Sequence, residues 1–338
     1  MSTVSVFVPC YNYAHFLPEC VASIVSQPGV DVRVLVIDDA SSDNTPEVAA
    51  DLAAHDSRVE YRRHSKNCGH IATYNEGLAW ANGDYTVLLS ADDKLTPGAL
   101  LRASQLMDAH PEVGFVYGGC VKFNTGQPVP QPRLPSGPGR WQIHNGLDWL
   151  EMICATGYSF INSPEVVVRT SLQHQLGGYR PELPHTGDLE MWMRFAVHAA
   201  VGQIVDADQA FYRLHGQNMH FDLFSAAAKD VQQRRAAYDS IFQDYRNSIP
   251  GWERLHKMAD RSLACDALWA VCQACYRRQV AQTPVIELIK YANSSYGGKF
   301  YDPEYLRVYF RLSSRIWQSI RRKLGLIYAS QVSPQPGS

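Results

Sequence analysis

The chain has no run approaching the roughly 18 uncharged apolar residues that a membrane-crossing helix needs, so no such helix is expected. Its N-terminus, "MSTVSVFVPCYN", shows neither a basic stretch nor a small-residue cleavage site, and no signal peptide is expected there. An excess of one charge is also missing. Against 33 Asp and Glu stand 31 Lys and Arg, a formal charge of -2, and no domain-wide basic field draws nucleic acid, which is excluded as a partner. Cysteine is sparse and scattered, at 10, 20, 68, 120, 154, 265, 272 and 275. In a chain this long, that pattern reads as reduced, mostly buried thiols of a cytosolic protein. Cys272 and Cys275 form a C-x-x-C without a second pair nearby. The surrounding "SLACDALWAVCQAC" has helical spacing, which favours core packing over zinc or redox work. No internal repeat is seen, and no G-x-G-x-x-G follows the first strand. A dinucleotide-binding loop is thereby excluded.

What the chain does have is an ordinary soluble balance. Its 338 residues are 46% hydrophobic and 19% charged, enough for a sizeable core and about two domains. The first 120 residues alternate between two periods. "VSVFVPCY", "VRVLVIDDA", "RVEYRRH", "YTVLLSADD" and "VGFVYGGC" read as strands. "AHFLPECVASIVSQ", "PEVAADLAAH", "HIATYNEGLAWAN" and "PGALLRASQLMDAH" read as helices. Strand–helix repetition with buried β-branched strands predicts an α/β fold, a mainly parallel sheet with helices on both faces. Residues 124–140 hold five prolines and three glycines and are expected to form a long surface loop. "EVVVRTSL" predicts another strand and residues 189–200 a helix. From about Ser225 the pattern is helical throughout. The expected organisation is an α/β domain over 1–222, a helical region over 223–328 and a disordered tail over 329–338. Within the first, a nucleotide-binding half covers about 1–120 and an acceptor half about 121–222.

Carboxylates recur where strands end. Sheets of this kind bind ligands outside the carboxyl ends of their strands. The second strand ends in Asp38 and Asp39. Thr45, Pro46 and Glu47 make a good helix start, with Thr45 as the expected cap, but that does not account for the two acids before them. A carboxylate there can accept a base N–H or ribose hydroxyls. The fourth strand is followed by Asp92 and Asp93, with Thr96 and Pro97 expected to cap the next helix. Adjacent like charges call for a cation, and Mg²⁺ or Mn²⁺ takes carboxylate oxygens together with substrate phosphates.

These motifs, with "NCGHIATYNEGLAWANGDYTVLLSADD", "GGY" and "GDLEMWMR", occur in the order seen in family 2 glycosyltransferases, which the chain resembles over about residues 3–220. The resemblance implies a GT-A fold with a helical C-terminal extension. It also implies inverting transfer of a sugar from a nucleotide diphospho-sugar in the presence of Mn²⁺ or Mg²⁺. By the same resemblance, Pro9 and Tyr11 line the base pocket, Asp39 reads the base and Asp38 sits beside it. Asn67, Gly69 and Asn75 border the donor, Asp92 lies near the ribose or donor sugar, and Asp93 binds the metal. Asp188 is then the general base. Two positions depart from the family pattern: Ser90 stands where many relatives have the first acid of D-x-D-D, and Gly187 stands where the pair before the helix is often Glu-Asp.

His215 is expected either to reach the metal or the diphosphate, or to lie on the surface. Arg213 is expected to offer its charge to the diphosphate or to pair with an acid. Arg62, Arg63 and Lys66 read as a solvated basic face. Residues 305–327 mix arginines with aromatic and aliphatic residues. They form either a peripheral membrane contact or a helix packed on the catalytic domain. The expected location is cytoplasmic, at the inner face of the plasma membrane if that helix binds lipid. UDP- or dTDP-sugars are the favoured donors, and a glycan or lipid-linked saccharide of a bacterial envelope or capsule is the expected acceptor. Two other readings stay open: a catalytically inactive nucleotide-sugar-binding subunit, and a nucleotidyltransferase. The second lacks its Gly-rich loop in "VPCYNYAHF".

Overall fold

The computed structural model describes residues 1–135, 139–216, 218, 223–277, 279, 283–297, 302–303 and 305–311. Its first half is β1 (Thr3–Cys10), α1 (Leu17–Val25), β2 (Asp31–Asp38), α2 (Thr45–His55), β3 (Val59–Arg63), α3 (His70–Trp80) and β4 (Tyr85–Leu88). Strands β3, β2, β1 and β4 lie side by side in that order, all parallel. The alternation of strand side chains builds two cores at once. Val4, Val6, Val8, Val34 and Val36 face one way, against α1 and later α4. Phe7, Leu35 and Ile37 face the other. Helix α3 lies close on that second face because residue 77 is glycine. A Cβ there would stand 2.2 Å from the Phe7 ring.

The second half begins with β5 (Lys94–Leu95), α4 (Ala99–Ala109), β6 (Val113–Asn124), β7 (Trp141–His144) and α5 (Gly146–Thr156). A 3-10 turn, Ser163–Glu165, leads into β8 (Val167–Arg169), α6 (Thr170–Leu176), α7 (Gly187–His198) and β9 (Ala200–Leu214). β8 runs antiparallel between β4 and β6, and β6 pairs in parallel with β9. Short β5 and β7 both add antiparallel to β9. The sheet is thus parallel from β3 to β4 and mixed beyond it. Residues 125–135 form no regular element, as the prolines require.

Two expected caps are placed differently. Thr45 lies inside α2; it is Asp43 that accepts from the Thr45 backbone N–H and hydroxyl. Thr96 does not cap α4, which starts at Ala99 after Gly98. Its hydroxyl instead donates to the Asp208 carbonyl, 2.6 Å away, because β5 holds this segment against β9.

Among the described residues, α8 (Leu223–Tyr245), α9 (Trp252–Arg277) and α10 (Val285–Ser295) follow, and residues 305–311 are helical as well. They do not build a separate core. Tyr238, Ile241 and Phe242 of α8 and Leu263, Leu268 and Val271 of α9 join one buried cluster with Trp149 of α5 and Trp192 and Phe195 of α7. Tyr238 fixes the join by donating to the Ile153 carbonyl at 2.8 Å. Cys272 is buried in α9 and Cys275 half-buried, as core packing requires. Among the described residues no helix is long and apolar enough to cross a membrane. Residues 312–327 of the basic segment and the tail 329–338 lie outside the described residues.

Candidate active site

A cavity of about 920 Å³ opens at the carboxyl ends of β1, β2 and β4. That lies within the range of small-molecule binding sites, about 300–1,000 Å³. Pro9, Tyr11, Asp39, Asn67, Gly69, Asp92, Asp93 and Asp188 all line it, so residues spread over 180 positions of sequence share one wall.

Asp39, just past β2, is buried and largely committed. Its Oδ1 accepts from the Cys68 backbone N–H at 2.7 Å and lies 2.7 Å from His64 Nδ1, while Oδ2 accepts from the Gly69 N–H at 2.9 Å. A carboxylate offers about four acceptor positions, so one on Oδ2 is left for the cavity. Asn67 Oδ1 helps fold the loop by accepting from the same Gly69 N–H. The backbone is strained on either side of this corner: Asn12 and Ala40 both sit at φ 61°.

Asp38 has another task. It is fully buried and does not line the cavity. Its Oδ1 accepts from the Ser41 N–H at 2.8 Å, and Oδ2 faces the Tyr61 hydroxyl and the Arg63 guanidinium, each at 3.3 Å. Arg63 is therefore an ion-pair partner rather than part of a merely solvated face. Asn75 is also structural: it clasps the Tyr179 backbone, donating to the carbonyl and accepting from the N–H at 2.7 Å.

Asp92 and Asp93 sit after β4, both buried. Asp93 Oδ1 accepts from the Arg213 backbone N–H at 2.9 Å. Burial, reinforced by the Asp92 charge beside it, pushes the Asp93 carboxyl well above the usual range. Asp92 Oδ2 is 2.9 Å from His215 Nε2 and 3.4 Å from Asn218 Nδ2, but its Oδ1 is buried with no hydrogen-bond partner among the described residues. Two desolvated carboxylates, one with an orphaned oxygen, fit a divalent cation. His215 stands beside them, its ring 5.3 Å from those of Tyr13 and Phe16.

Arg213 takes the second of its two expected roles. Its guanidinium pairs with Glu19, donates to the Asp92 carbonyl at 2.8 Å and lies between the rings of Phe16 and Phe123. It shapes the acidic turn without lining the cavity. Ser90 lines the cavity and is hydrogen-bonded to the Tyr74 hydroxyl.

Asp188 is the second residue of α7 and opens to the cavity. The Ser163 hydroxyl donates to its Oδ2, and the Tyr179 hydroxyl is its second donor. Burial still outweighs both donors and the nearby His70, so the carboxyl is raised above its ordinary value. Gly187 is required beside it, because a Cβ would stand 2.9 Å from the Tyr179 ring. Ser163, Tyr179, Tyr74, Glu19 and His64 were not legible as site residues in isolation. Tyr179 in "GGY", Tyr74 in "NCGHIATYNEGLAWANGDYTVLLSADD", Glu19 in "AHFLPECVASIVSQ" and His64 in "RVEYRRH" belong to quoted stretches, but none of them has a role assigned there. Lys229 and Asp230 of α8 also line the cavity, so the helical region contributes to this site.

The comparisons agree with this geometry. Residues 5–164 match Glycosyl transferase family 2. The structure superposes on Staphylococcus aureus TarS 1-349 in complex with UDP-GlcNAc with a TM-score of 0.61, at 16% identity, covering 95% of this chain and 92% of that one. It superposes on the mannosyltransferase PcManGT of Pyrobaculum calidifontis, in complex with GDP-Man and Mn²⁺, with a TM-score of 0.52 at 17% identity, covering 95% and 86%. The fold is therefore GT-A. Chondroitin synthase of Pasteurella multocida is 40% identical over 221 residues, 64% of this chain but 21% of that enzyme. The chain spans 63% of the length of another curated relative. Over residues 5–164, a little under half of its length, the chain is similar to family 2 glycosyltransferases, and its fold is the one these solved glycosyltransferases share.

Proposed function

We propose that the protein is an inverting glycosyltransferase that moves a sugar from a nucleotide diphospho-sugar to a hydroxyl of a glycan or lipid-linked acceptor. The observation that carries this reading is the sharing of one cavity by Asp39, the Asp92–Asp93 pair and the desolvated Asp188. The single acceptor position left on Asp39 suits a base that presents one imide N–H, uracil or thymine, which favours UDP- or dTDP-sugars. Pro9 and Tyr11 flank that base. Asp92 and Asp93, with His215 beside them, would hold Mn²⁺ or Mg²⁺. A bound cation supplies Lewis-acid stabilisation of charge on the departing diphosphate.

In a single displacement, the acceptor oxygen bonds to the anomeric carbon as the bond from that carbon to the diphosphate oxygen breaks. The proton of the attacking hydroxyl passes to an Asp188 oxygen. A base poised by burial near working pH does this best. Ser163 and Tyr179 keep that carboxylate aimed. A nucleotide-sugar-binding subunit without turnover would not need a desolvated acid held by two donors, so the departures at Ser90 and Gly187 read as local repacking.

The test is thermal unfolding with UDP, dTDP, GDP and CDP, each with and without Mn²⁺. A ligand that binds only the folded state raises its stability by mass action. UDP or dTDP should stabilise the wild type, more so with Mn²⁺. Asp93→Asn should lose the metal increment and keep the nucleotide one. No shift with any diphosphate at about 100 times a micromolar dissociation constant, where about 2.7 kcal/mol is expected, would remove the site assignment.

A further inference from the structure

Behind the cavity wall, one half-buried group has no role in the steps above. His64, at the end of β3, has a carboxylate oxygen on each ring nitrogen: Asp39 Oδ1 at 2.7 Å from Nδ1 and Glu76 Oε2 at 2.7 Å from Nε2. Carboxylates at neutral pH only accept hydrogen bonds, so a ring placed between two of them has to carry both protons. Arg62, from β3, faces the far side of Glu76 at 3.7 Å and offsets that charge in turn. Burial pulls the His64 imidazole down. The hydrogen bonds and charges of Asp39 and Glu76 more than reverse that and raise it.

A metal ion is the competing occupant. Asp39, His64 and Cys68 each bring a ligand atom within 4.8 Å of the others. Tetrahedral zinc, with bonds near 2.0 Å, separates its ligand atoms by about 3.3 Å. The 2.7 Å between His64 Nδ1 and Asp39 Oδ1 is hydrogen-bond length, which suits a shared proton.

We propose that His64, held as an imidazolium between Asp39 and Glu76, is a positioning residue for donor-base recognition: it locks the Asp39 carboxylate with one oxygen turned to the base. The anchor comes from α3 through Glu76, so β2, β3 and α3 are tied together at the rim of the base pocket. Without the cation, Asp39 would lose the clamp on Oδ1 and be free to rotate its acceptor edge away from the base. Nucleotide affinity then depends on a proton that never touches the nucleotide. The proposal rests on Asp39 reading the base.

The experiment is calorimetric titration of UDP with Mn²⁺ into the full chain from about pH 6 to about pH 9, a range that brackets an upward-shifted histidine. Wild-type affinity should fall by roughly tenfold as His64 deprotonates. His64→Gln, which cannot donate to both carboxylates at once, should bind UDP roughly tenfold more weakly at low pH and lose that fall. Glu76→Gln, outside the cavity lining, should move the fall to lower pH; it serves as the reading if His64→Gln does not fold. In turnover, the loss should appear in the donor KM rather than in kcat. Ionisations of UDP itself are common to all variants and cancel in the comparison. Variants that stay within about twofold of wild type at every pH overturn the proposal. An Asp39→Asn variant that binds UDP as tightly as wild type overturns base reading by Asp39 itself, a separate failure.

Discussion

Replacing Asp188 by asparagine keeps the side chain's size and removes its ability to take a proton. Two opposite consequences follow from the same geometry. The Ser163 and Tyr179 hydroxyls each donate to the carboxylate, and such charge-assisted bonds are worth about 1.5–3 kcal/mol apiece. Yet the carboxyl is raised, so the cost of burying its charge exceeds what the donors return. A neutral amide in that place escapes the cost and still accepts from one donor, so Asp188→Asn should stabilise the fold by about 1 kcal/mol at neutral pH. The sign fixes the pH window. Below about pH 4 the acid is protonated in folded and unfolded chains alike, and the two proteins should unfold together. As pH rises above that value, the unfolded acid ionises first. The wild type should therefore fall behind until the folded group has ionised as well. Transfer should behave the other way, falling by about 10² to 10⁴ in kcat while the dissociation constant for UDP stays within about twofold. The assay pairs initial rates of release of the nucleoside diphosphate with calorimetric UDP binding and thermal unfolding across pH. A rate loss below about tenfold, or a loss of UDP affinity equal to the loss in rate, would refute the assignment of Asp188 as base.

Two further outcomes can be checked readily. Tyr179→Phe removes a donor that pulls the Asp188 carboxyl down, so the acid limb of the rate–pH profile should move to higher pH, read from kcat against pH; an unmoved limb would make Tyr179 structural only. Peripheral membrane contact through 305–327 is a proposal that starts from exposed Tyr309 and Phe310 and the neighbouring Arg307 and Arg311. Co-sedimentation with anionic liposomes at low salt should be detectable and weaken as salt rises, and no binding at low salt would end the idea.

The first half of the protein, β1 to β4, was legible because it is built from local signals. Each strand from β1 to β4 is a short apolar run, each intervening helix has its own period, and the acids follow the strand ends directly. Asp39, Asp92 and Asp93 needed no knowledge of distant residues to stand out, whereas Asp188 was singled out by the order of motifs in the family that the chain resembles. The division of labour among acids was not legible. Asp38 and Asp39 are neighbours in sequence, but the pleat sends one to Ser41, Tyr61 and Arg63 and the other to the cavity. Thr96 failed as a cap because β5 pairs with β9 more than 100 residues away, a contact with no local trace.

By itself, then, the sequence determined the α/β class, the mainly parallel pairing of the first strands, the helical pattern after about residue 225 and the strand-end acids that line the cavity, because periodicity and strand-end chemistry are properties of adjacent residues. Only the tertiary structure decided which of those acids keep a free oxygen. It closed Arg213 onto Glu19 and the acidic turn, set Ser163 and Tyr179 on Asp188, placed His64 between Asp39 and Glu76, and brought α8 to the cavity wall. Those are long-range pairings, and each depends on how charge and burial balance once the chain has closed.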